Sequence, residues 1–162
     1  MSVIPERVPM TREGFDKLRQ EIEFLKATER PRILQELEEA RAHGDLSENA
    51  EYHAARDKLA HVKGRLEDLE FRLSKAEIIN PTAMKGHTKV AFGAHVTLVE
   101  VDEEQEVTYQ IVGEYESDIS IGKLSVTSPI ARALIGRAKD SLVKVKTPKG
   151  EREFEIIEVE YK

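Results

Sequence analysis

The 162-residue chain contains no cysteine and no tryptophan, and only 6% of its residues are aromatic. Without cysteine it can form neither a disulfide nor a thiolate metal site, and it has no thiol nucleophile. It also lacks any apolar run close to the roughly 20 residues that span a bilayer. We therefore expect a cytoplasmic protein that has no membrane contact and no cleaved export signal.

The charge balance limits how the chain can meet nucleic acid. Charged residues make up 35% of the sequence, and the net charge is -6. Unspecific binding to nucleic acid needs an excess of Lys and Arg to replace condensed counterions. Any contact with nucleic acid should therefore be local.

Residues 11–76 contain few glycines and prolines and many Glu, Arg, Leu and Ala, which predicts helix. Apolar residues in the second part recur at alternating steps of three and four, as in a coiled coil: Tyr52, Ala55, Leu59, Val62, Leu66, Leu69, Leu73 and Ala76. In the first part the step from Leu25 to Ile33 is eight residues, where seven would keep the phase. Pro31 lies in that step, so we expect a kink or local irregularity there.

Two helices that fold back on each other explain this region better than one long helix. Gly44 can end the first helix, and Asp45 or Ser47 can cap the second. The sequence predicts an antiparallel coiled-coil hairpin in an N-terminal domain, residues 1–78, with its tip at 44–49. Arms of about 30 residues would be roughly 45 Å long.

The remaining sequence has the pattern of an α+β domain. A linker is predicted at 79–88, followed by a C-terminal domain over 89–162 with alternating, β-branched segments at 94–101, 107–112, 124–127, 142–147 and 152–160. Ser128 can cap one short helix, with Pro129 at its first position and Gly136 after its end. We expect a small antiparallel β domain with this single helix.

The predicted tip carries two carboxylates, Asp45 and Glu48. If the second helix begins at Asp45, both project from its first turn on one side. Such a pair can complete a Mg²⁺ site whose other ligands come from elsewhere. The same spacing is also typical of a capping box, and both interpretations can hold at once.

Four basic or imidazole side chains lie near the same tip. Arg41 and Arg56 flank the carboxylates and can contact an anionic strand, or they can pair with nearby helix carboxylates such as Glu38 or Glu51. His43 and His53 match no usual zinc spacing, and we expect no zinc site.

Residues 39–55, EARAHGDLSENAEYHAA, closely resemble the tip signature of the bacterial Gre transcript cleavage factors. Residues 128–136, SPIARALIG, are similar to a segment in the C-terminal domain of that family. The resemblance covers nearly the whole chain. The family has one branch with a small basic patch near the tip and one with a broader patch. The few basic residues near the tip of this chain favour the first branch.

The resemblance implies a fold and a function. The C-terminal domain would be FKBP-like and would dock on RNA polymerase near its secondary channel, while the hairpin reaches the active centre. The factor would stimulate the polymerase's own endonucleolytic cleavage of backtracked nascent RNA and so rescue arrested complexes. It would not be an enzyme by itself.

Roles for individual residues also follow from the resemblance. Asp45 and Glu48 match the carboxylates that help to hold a catalytic Mg²⁺ jointly with the polymerase. Arg41 and Arg56 match the basic patch near the 3′ end of the backtracked RNA. Outside the polymerase we expect no bound Mg²⁺, because two solvated carboxylates hold this ion poorly, and we expect a monomer.

Ser128 and Pro129 match the surface that meets the polymerase β′ subunit.

Three alternatives remain at this stage. A channel-binding inhibitor can have the same architecture, but its known form carries an altered, more acidic tip, whereas residues 45–49 keep the cleavage pattern. A coiled-coil scaffold would use the tip only as a capped turn. A peptidyl-prolyl isomerase would need a deep aromatic pocket, which the few aromatic residues of the C-terminal half disfavour.

Overall fold

The computed structural model describes residues 7–44 and 48–162. These residues form two compact units. Phe15–Ala76 is the helical unit, and the residues up to Gly14 group with Glu77–Lys162 in the other, sheet-containing unit. None of the helices in the described ranges has the length and apolar character needed to cross a membrane.

The helical unit is built from three α-helices and one π-helical turn. Their bounds are α1 Arg12–Phe24, the π-helical turn Leu25–Glu29, α2 Arg30–Ala42 and α3 Ala50–Lys75. The first residues of α1 belong to the sheet-containing unit.

The irregularity predicted around Pro31 is confirmed. The backbone N–H of Arg30 bonds to the carbonyl oxygen of Leu25, five residues back, as in a π-helix. This wider turn holds one residue more than an α-helical turn, so it absorbs the eight-residue step between Leu25 and Ile33. Both apolar side chains therefore stay on the face that packs against α3.

The predicted antiparallel hairpin is confirmed by the ion pairs between its arms. Lys26 pairs with Glu70 at 2.6 Å, and Lys58 pairs with Glu36 at 3.2 Å. A later residue of the first arm therefore lies opposite an earlier residue of the second arm, so the arms run in opposite directions. The predicted apolar stripe forms the core between the arms. One buried cluster of the stripe contains Ile22, Ile33, Val62, Leu66 and Leu69, with Leu18, Leu25, Leu59 and Leu73 packed against it. Leu37, Ala40 and Ala55 are also buried.

The sheet-containing unit has one large and one small sheet. The large sheet has the strand order β5-β4-β3-β7-β6, with bounds β3 His95–Glu100, β4 Glu106–Val112, β5 Lys123–Ser125, β6 Leu142–Thr147 and β7 Gly150–Glu160. The small sheet pairs β1 Val8–Met10 with β2 Ala76–Ile78.

The α+β fold class is confirmed, but the large sheet is mixed, where the sequence predicted an antiparallel one. β5 runs parallel to β4, with Ile111 opposite Leu124. The reason lies in residues 113–122, which contain two 3₁₀ turns, Glu114–Glu116 and Ile119–Ile121. This connection is long enough to carry the chain back to the level of Gln110, where β5 begins, so that β5 runs in the same direction as β4. A tight hairpin would reverse the direction of the chain.

One short helix, α4 Pro129–Leu134, packs on the large sheet, and its prediction is confirmed. Its inward residues Ala131 and Leu134 are fully buried. They share one core with the inward side chains of the central strands, among them Val96, Leu98, Ile111, Phe154 and Ile156. This core fixes the segment around Ser128 and Pro129 to the sheet.

Candidate functional site

The end of α2 forms one side of the hairpin tip. The backbone N–H of His43 bonds to the Ala40 carbonyl oxygen at 3.2 Å, and that of Gly44 bonds to the Arg41 carbonyl oxygen at 3.3 Å. Gly44 has a φ of +101°, a left-handed conformation that glycine adopts without steric cost. The sequence prediction that Gly44 ends the first helix is therefore confirmed.

The second helix begins later than predicted. Its N-cap is Asn49, whose Oδ1 accepts a hydrogen bond from the backbone N–H of Tyr52 at 3.0 Å. The prediction that Asp45 or Ser47 caps the second helix is wrong, and the condition of a helix start at Asp45 is not met. Asp45 and Ser47 themselves lie outside the described residues.

The physical reason for the later start is a second bond made by the same side chain. Asn49 Nδ2 donates to the carbonyl oxygen of Ala40, 2.6 Å away in the last turn of α2. Asparagine is among the best N-cap residues, and from position 49 it also joins the two arms. Sequence reasoning missed Asn49, although an Asn directly before a helix-forming run was an available signal.

Glu48 therefore lies immediately before the cap instead of within the first helical turn. Its side chain is exposed. Glu48 cannot be the third residue of a capping box for α3, so its carboxylate has no part in starting that helix. The structure leaves this carboxylate at the tip and accessible to a partner.

The two predicted arginines are exposed on opposite arms of the hairpin. Arg41 lies in the last turn of α2, with its guanidinium carbon 5.9 Å from the centre of the Tyr52 ring, which is a cation–π distance. Arg56 lies in the second turn of α3. Neither arginine forms an ion pair with Glu38 or Glu51 within residues 7–44 and 48–162.

The tip can supply only part of a metal site. In the described part of the chain, no three His, Asp or Glu side chains cluster closely enough to hold a metal ion. Glu48 and Asp45 together offer two carboxylates, whereas Mg²⁺ prefers six oxygen ligands in octahedral geometry. Glu48 and the undescribed Asp45 would therefore supply at most two of the oxygen ligands of a Mg²⁺.

The predicted docking residues lie at the start of α4. The half-buried hydroxyl of Ser128 accepts a hydrogen bond from the backbone N–H of Ala131 at 3.2 Å and donates one to the Ser125 carbonyl oxygen at 2.7 Å. Pro129 is exposed at the first helical position. The Ser128 side chain therefore stabilises the start of α4, while the exposed Pro129 is accessible to a partner.

Comparisons with known proteins cover both units. Residues 8–78 match the family model described as transcription elongation factor, N-terminal, and residues 85–161 match the model described as transcription elongation factor, GreA/GreB, C-term. The transcription elongation factor GreA of Alkalilimnicola ehrlichii is 57% identical over 155 residues, which cover 96% of this chain and 98% of that protein.

Other relatives agree with this match. GreA of Paracoccus denitrificans is 52% identical over 156 residues, which cover 96% of this chain and 99% of that protein. Among solved structures, GreA factor homolog 1 of Thermus thermophilus matches with 26% identity and a TM-score of 0.43, over 95% of this chain and 99% of that one. On the strength of the sequence matches, the chain belongs to the GreA/GreB family of transcription elongation factors.

Proposed function

We propose that the chain binds RNA polymerase in the cytoplasm and stimulates the polymerase's intrinsic endonucleolytic cleavage of backtracked nascent RNA. The sheet-containing unit docks on the β′ subunit, and the hairpin enters the secondary channel toward the active centre. Cleavage leaves a new RNA 3′ end in place, and the arrested complex resumes elongation. The chain itself supplies ligands and contacts and is not a nuclease.

The observation that carries this proposal is the position of Glu48. Its exposed carboxylate lies between the end of α2 and the cap of α3, at the tip of a long and narrow element. The 26 residues of α3 at 1.5 Å each give a helix about 39 Å long. A carboxylate at the end of such a rod can reach a centre deep within a channel.

Glu48 and Asp45 would hold a Mg²⁺ together with ligands of the polymerase active site. The chemistry that Mg²⁺ would supply there is activation of a water and stabilisation of charge on the phosphodiester oxygens. The two carboxylates raise the occupancy of the ion, because they add oxygen ligands to a site that is incomplete without them. They act only in the assembled complex.

Arg41 and Arg56 would contact the phosphates of the extruded RNA near its 3′ end. Contacts to phosphate position a strand without reading its sequence. The Tyr52 ring supports this role for Arg41, because the guanidinium carbon lies over the ring at 5.9 Å while Arg41 stays exposed at the tip.

The test is a cleavage assay on an elongation complex stalled by backtracking, with labelled RNA and limiting Mg²⁺. The wild-type chain should shorten the RNA, whereas the Asp45→Asn/Glu48→Gln variant should give only the rate of the polymerase alone. A Glu39→Gln/Glu51→Gln variant is the matched control, because it removes the same charge from exposed positions on the flanking helices. Wild-type cleavage by the Asp45→Asn/Glu48→Gln variant would refute the metal role.

A competition assay against labelled wild-type chain measures docking separately. The Asp45→Asn/Glu48→Gln variant should compete as well as wild type. Pro129→Asp should compete about tenfold less well, as expected for loss of about 1.4 kcal/mol at an interface, while Pro148→Asp, an equal change at another exposed proline, should not. A wild-type chain that binds polymerase and slows it without cleavage would instead indicate an inhibitor.

A further inference from the structure

Asn49 forms a side-chain bridge between the two arms of the hairpin. Its Oδ1 accepts from the backbone N–H of Tyr52 in α3, and its Nδ2 donates to the carbonyl oxygen of Ala40 in α2. The distances are 3.0 Å to Tyr52 and 2.6 Å to Ala40, so both partners are within hydrogen-bonding reach, the second at a short distance. The bridge joins residues nine positions apart across the tip.

The chemistry of this bridge requires an amide. One partner is an N–H group and needs an acceptor, while the other is a carbonyl and needs a donor, and a short amide offers both on one branched side chain. Aspartate would place a carboxylate oxygen against the Ala40 carbonyl. Serine keeps the cap acceptor, but its single hydroxyl lacks the second branch toward Ala40.

The bridge fixes the backbone next to Glu48. Neighbouring Cα atoms across a trans peptide are about 3.8 Å apart, so the place of Asn49 limits where the Glu48 carboxylate can lie. Without the bond to Ala40, Asn49 would still begin α3, but the peptide before it would lose its attachment to α2.

The same bridge reaches Arg41. Tyr52, whose N–H binds Asn49, also places its ring 5.9 Å from the Arg41 guanidinium carbon. The bond at Asn49 therefore holds the start of α3 in the register at which this ring meets the last turn of α2.

From these contacts we infer that Asn49 is a positioning residue for transcript cleavage, which holds the Glu48 carboxylate at a fixed place relative to both arms. This inference rests on the proposed function, since it needs Glu48 to be a metal ligand within the polymerase. Asn49 itself touches neither the metal nor the RNA in this role.

The test compares wild type with Asn49→Ser in the stalled-complex cleavage assay over a range of Mg²⁺ concentrations. The serine variant keeps the cap and loses the bridge. The Mg²⁺ concentration for half-maximal stimulation should rise about tenfold, at the lower end of the 10- to 100-fold effect of losing a partner that orients a metal ligand. Competition for polymerase should be unchanged, and the cleavage rate should approach that of wild type at saturating Mg²⁺.

A second variant separates positioning from stability. Gly64 lies within α3, and a Cβ added there would meet no heavy atom within 4 Å, so Gly64→Ala should raise the melting temperature of the hairpin. Asn49→Ser/Gly64→Ala should keep the higher Mg²⁺ requirement even though its stability is restored. If the double variant Asn49→Ser/Gly64→Ala had the Mg²⁺ requirement of wild type, Asn49 would act through stability alone and the inference would be wrong.

Two further outcomes are distinguishable. Equal Mg²⁺ dependence of wild type and Asn49→Ser would overturn the role of Asn49 and leave the proposed function intact. A wild-type chain that gave no stimulation at any Mg²⁺ concentration would overturn the proposed function, and the positioning role with it.

Discussion

Glu116 accepts a hydrogen bond from the backbone N–H of Thr11 at 2.8 Å, although the two residues are 105 positions apart in the chain. The same carboxylate accepts from the Thr11 hydroxyl and from the backbone N–H of Gly113, the latter at 3.2 Å. The Thr11 hydroxyl oxygen in turn accepts from the backbone N–H of Gly14 at 3.0 Å, in the first turn of α1. One carboxylate therefore joins the N-terminal segment to the connection between β4 and β5.

Replacing Glu116 by Ala should destabilise the sheet-containing unit. The change leaves the N–H groups of Thr11 and Gly113 without their charged acceptor, and hydrogen bonds to charged groups each contribute about 1.5 to 3 kcal/mol. We expect a loss of about 3 kcal/mol in the free energy of unfolding, the lower end of this range for two bonds, measured by urea denaturation with tyrosine fluorescence. Glu114→Ala, at an exposed neighbouring position, is the control. Equal denaturation midpoints for the two variants would contradict the anchoring role.

The cap of α3 gives a second prediction. Asn49→Ala should lower the stability of the hairpin by about 1 kcal/mol, the usual cost of losing an N-cap side chain. Glu48→Gln should change it by less than about 0.5 kcal/mol, because Glu48 lies outside the helix. Thermal unfolding followed by circular dichroism at helical wavelengths measures both. A larger effect at Glu48 than at Asn49 would restore the capping-box interpretation.

The arginines at the tip predict a salt-dependent contact. Arg41→Ala/Arg56→Ala should weaken capture of backtracked RNA and make the negative slope of log K against log salt shallower by about 1.4, the value for two phosphate contacts to a single strand. Crosslinking to the RNA 3′ end across a salt titration measures it. Arg30→Ala/Lys63→Ala removes two exposed cations farther from the tip and should leave the slope unchanged. If both double variants crosslinked alike, Arg41 and Arg56 would not contact the RNA.

The ion pair of Glu100 and Arg152 predicts a pH dependence of stability. Arg152 donates two hydrogen bonds to the Glu100 carboxylate, at 2.8 and 2.7 Å, and these bonds lower the pKa of Glu100. A lowered pKa in the folded state means that the stabilisation is complete above the ordinary glutamate pKa of about 4.3 and is lost as the pH falls through the lower, folded-state pKa.

The stability difference between wild type and Glu100→Gln should therefore be constant near neutral pH and shrink in acid. Urea denaturation at a series of pH values measures this difference. Glu106→Gln, an exposed position on β4, should show no such trend. A difference that stayed constant into the acid range would mean that the ion pair contributes nothing.

The sequence determined the apolar stripe of the hairpin and several helix ends, because these depend on residues that are close together in the chain. The three-four apolar spacing specified the buried stripe of the hairpin, because side chains at those steps share one helix face. The left-handed conformation at Gly44 ended α2, and Ser128 with Pro129 began α4, since each acts within one turn of its own backbone. The extra residue before Ile33 and the nearby Pro31 predicted a kink or local irregularity, and the structure shows that this irregularity is a π-helical turn.

The start of α3 was decided only by tertiary structure. Asp45, Ser47 and Asn49 are all good N-cap residues by type, and the sequence alone does not choose among them. The carbonyl of Ala40, brought near by the pairing of the two arms, gives Asn49 a second hydrogen bond. That contact places Glu48 before the helix, whereas the spacing of Asp45 and Glu48 suggested a place in its first turn.

The direction of β5 and the place of the N-terminal segment also needed the tertiary structure. Alternation of apolar residues marks a strand but is the same whether its neighbour is parallel or antiparallel. The bonds of Glu116 to Thr11 and Gly113 connect residues that are distant in the chain, and no local pattern encodes such a pairing. The sequence by itself therefore determined the helices of the hairpin, α4 and the strands of the large sheet, because these depend on local spacing. Contacts between separate elements decided where α3 begins, the direction of β5 and the pairing of β1 with β2.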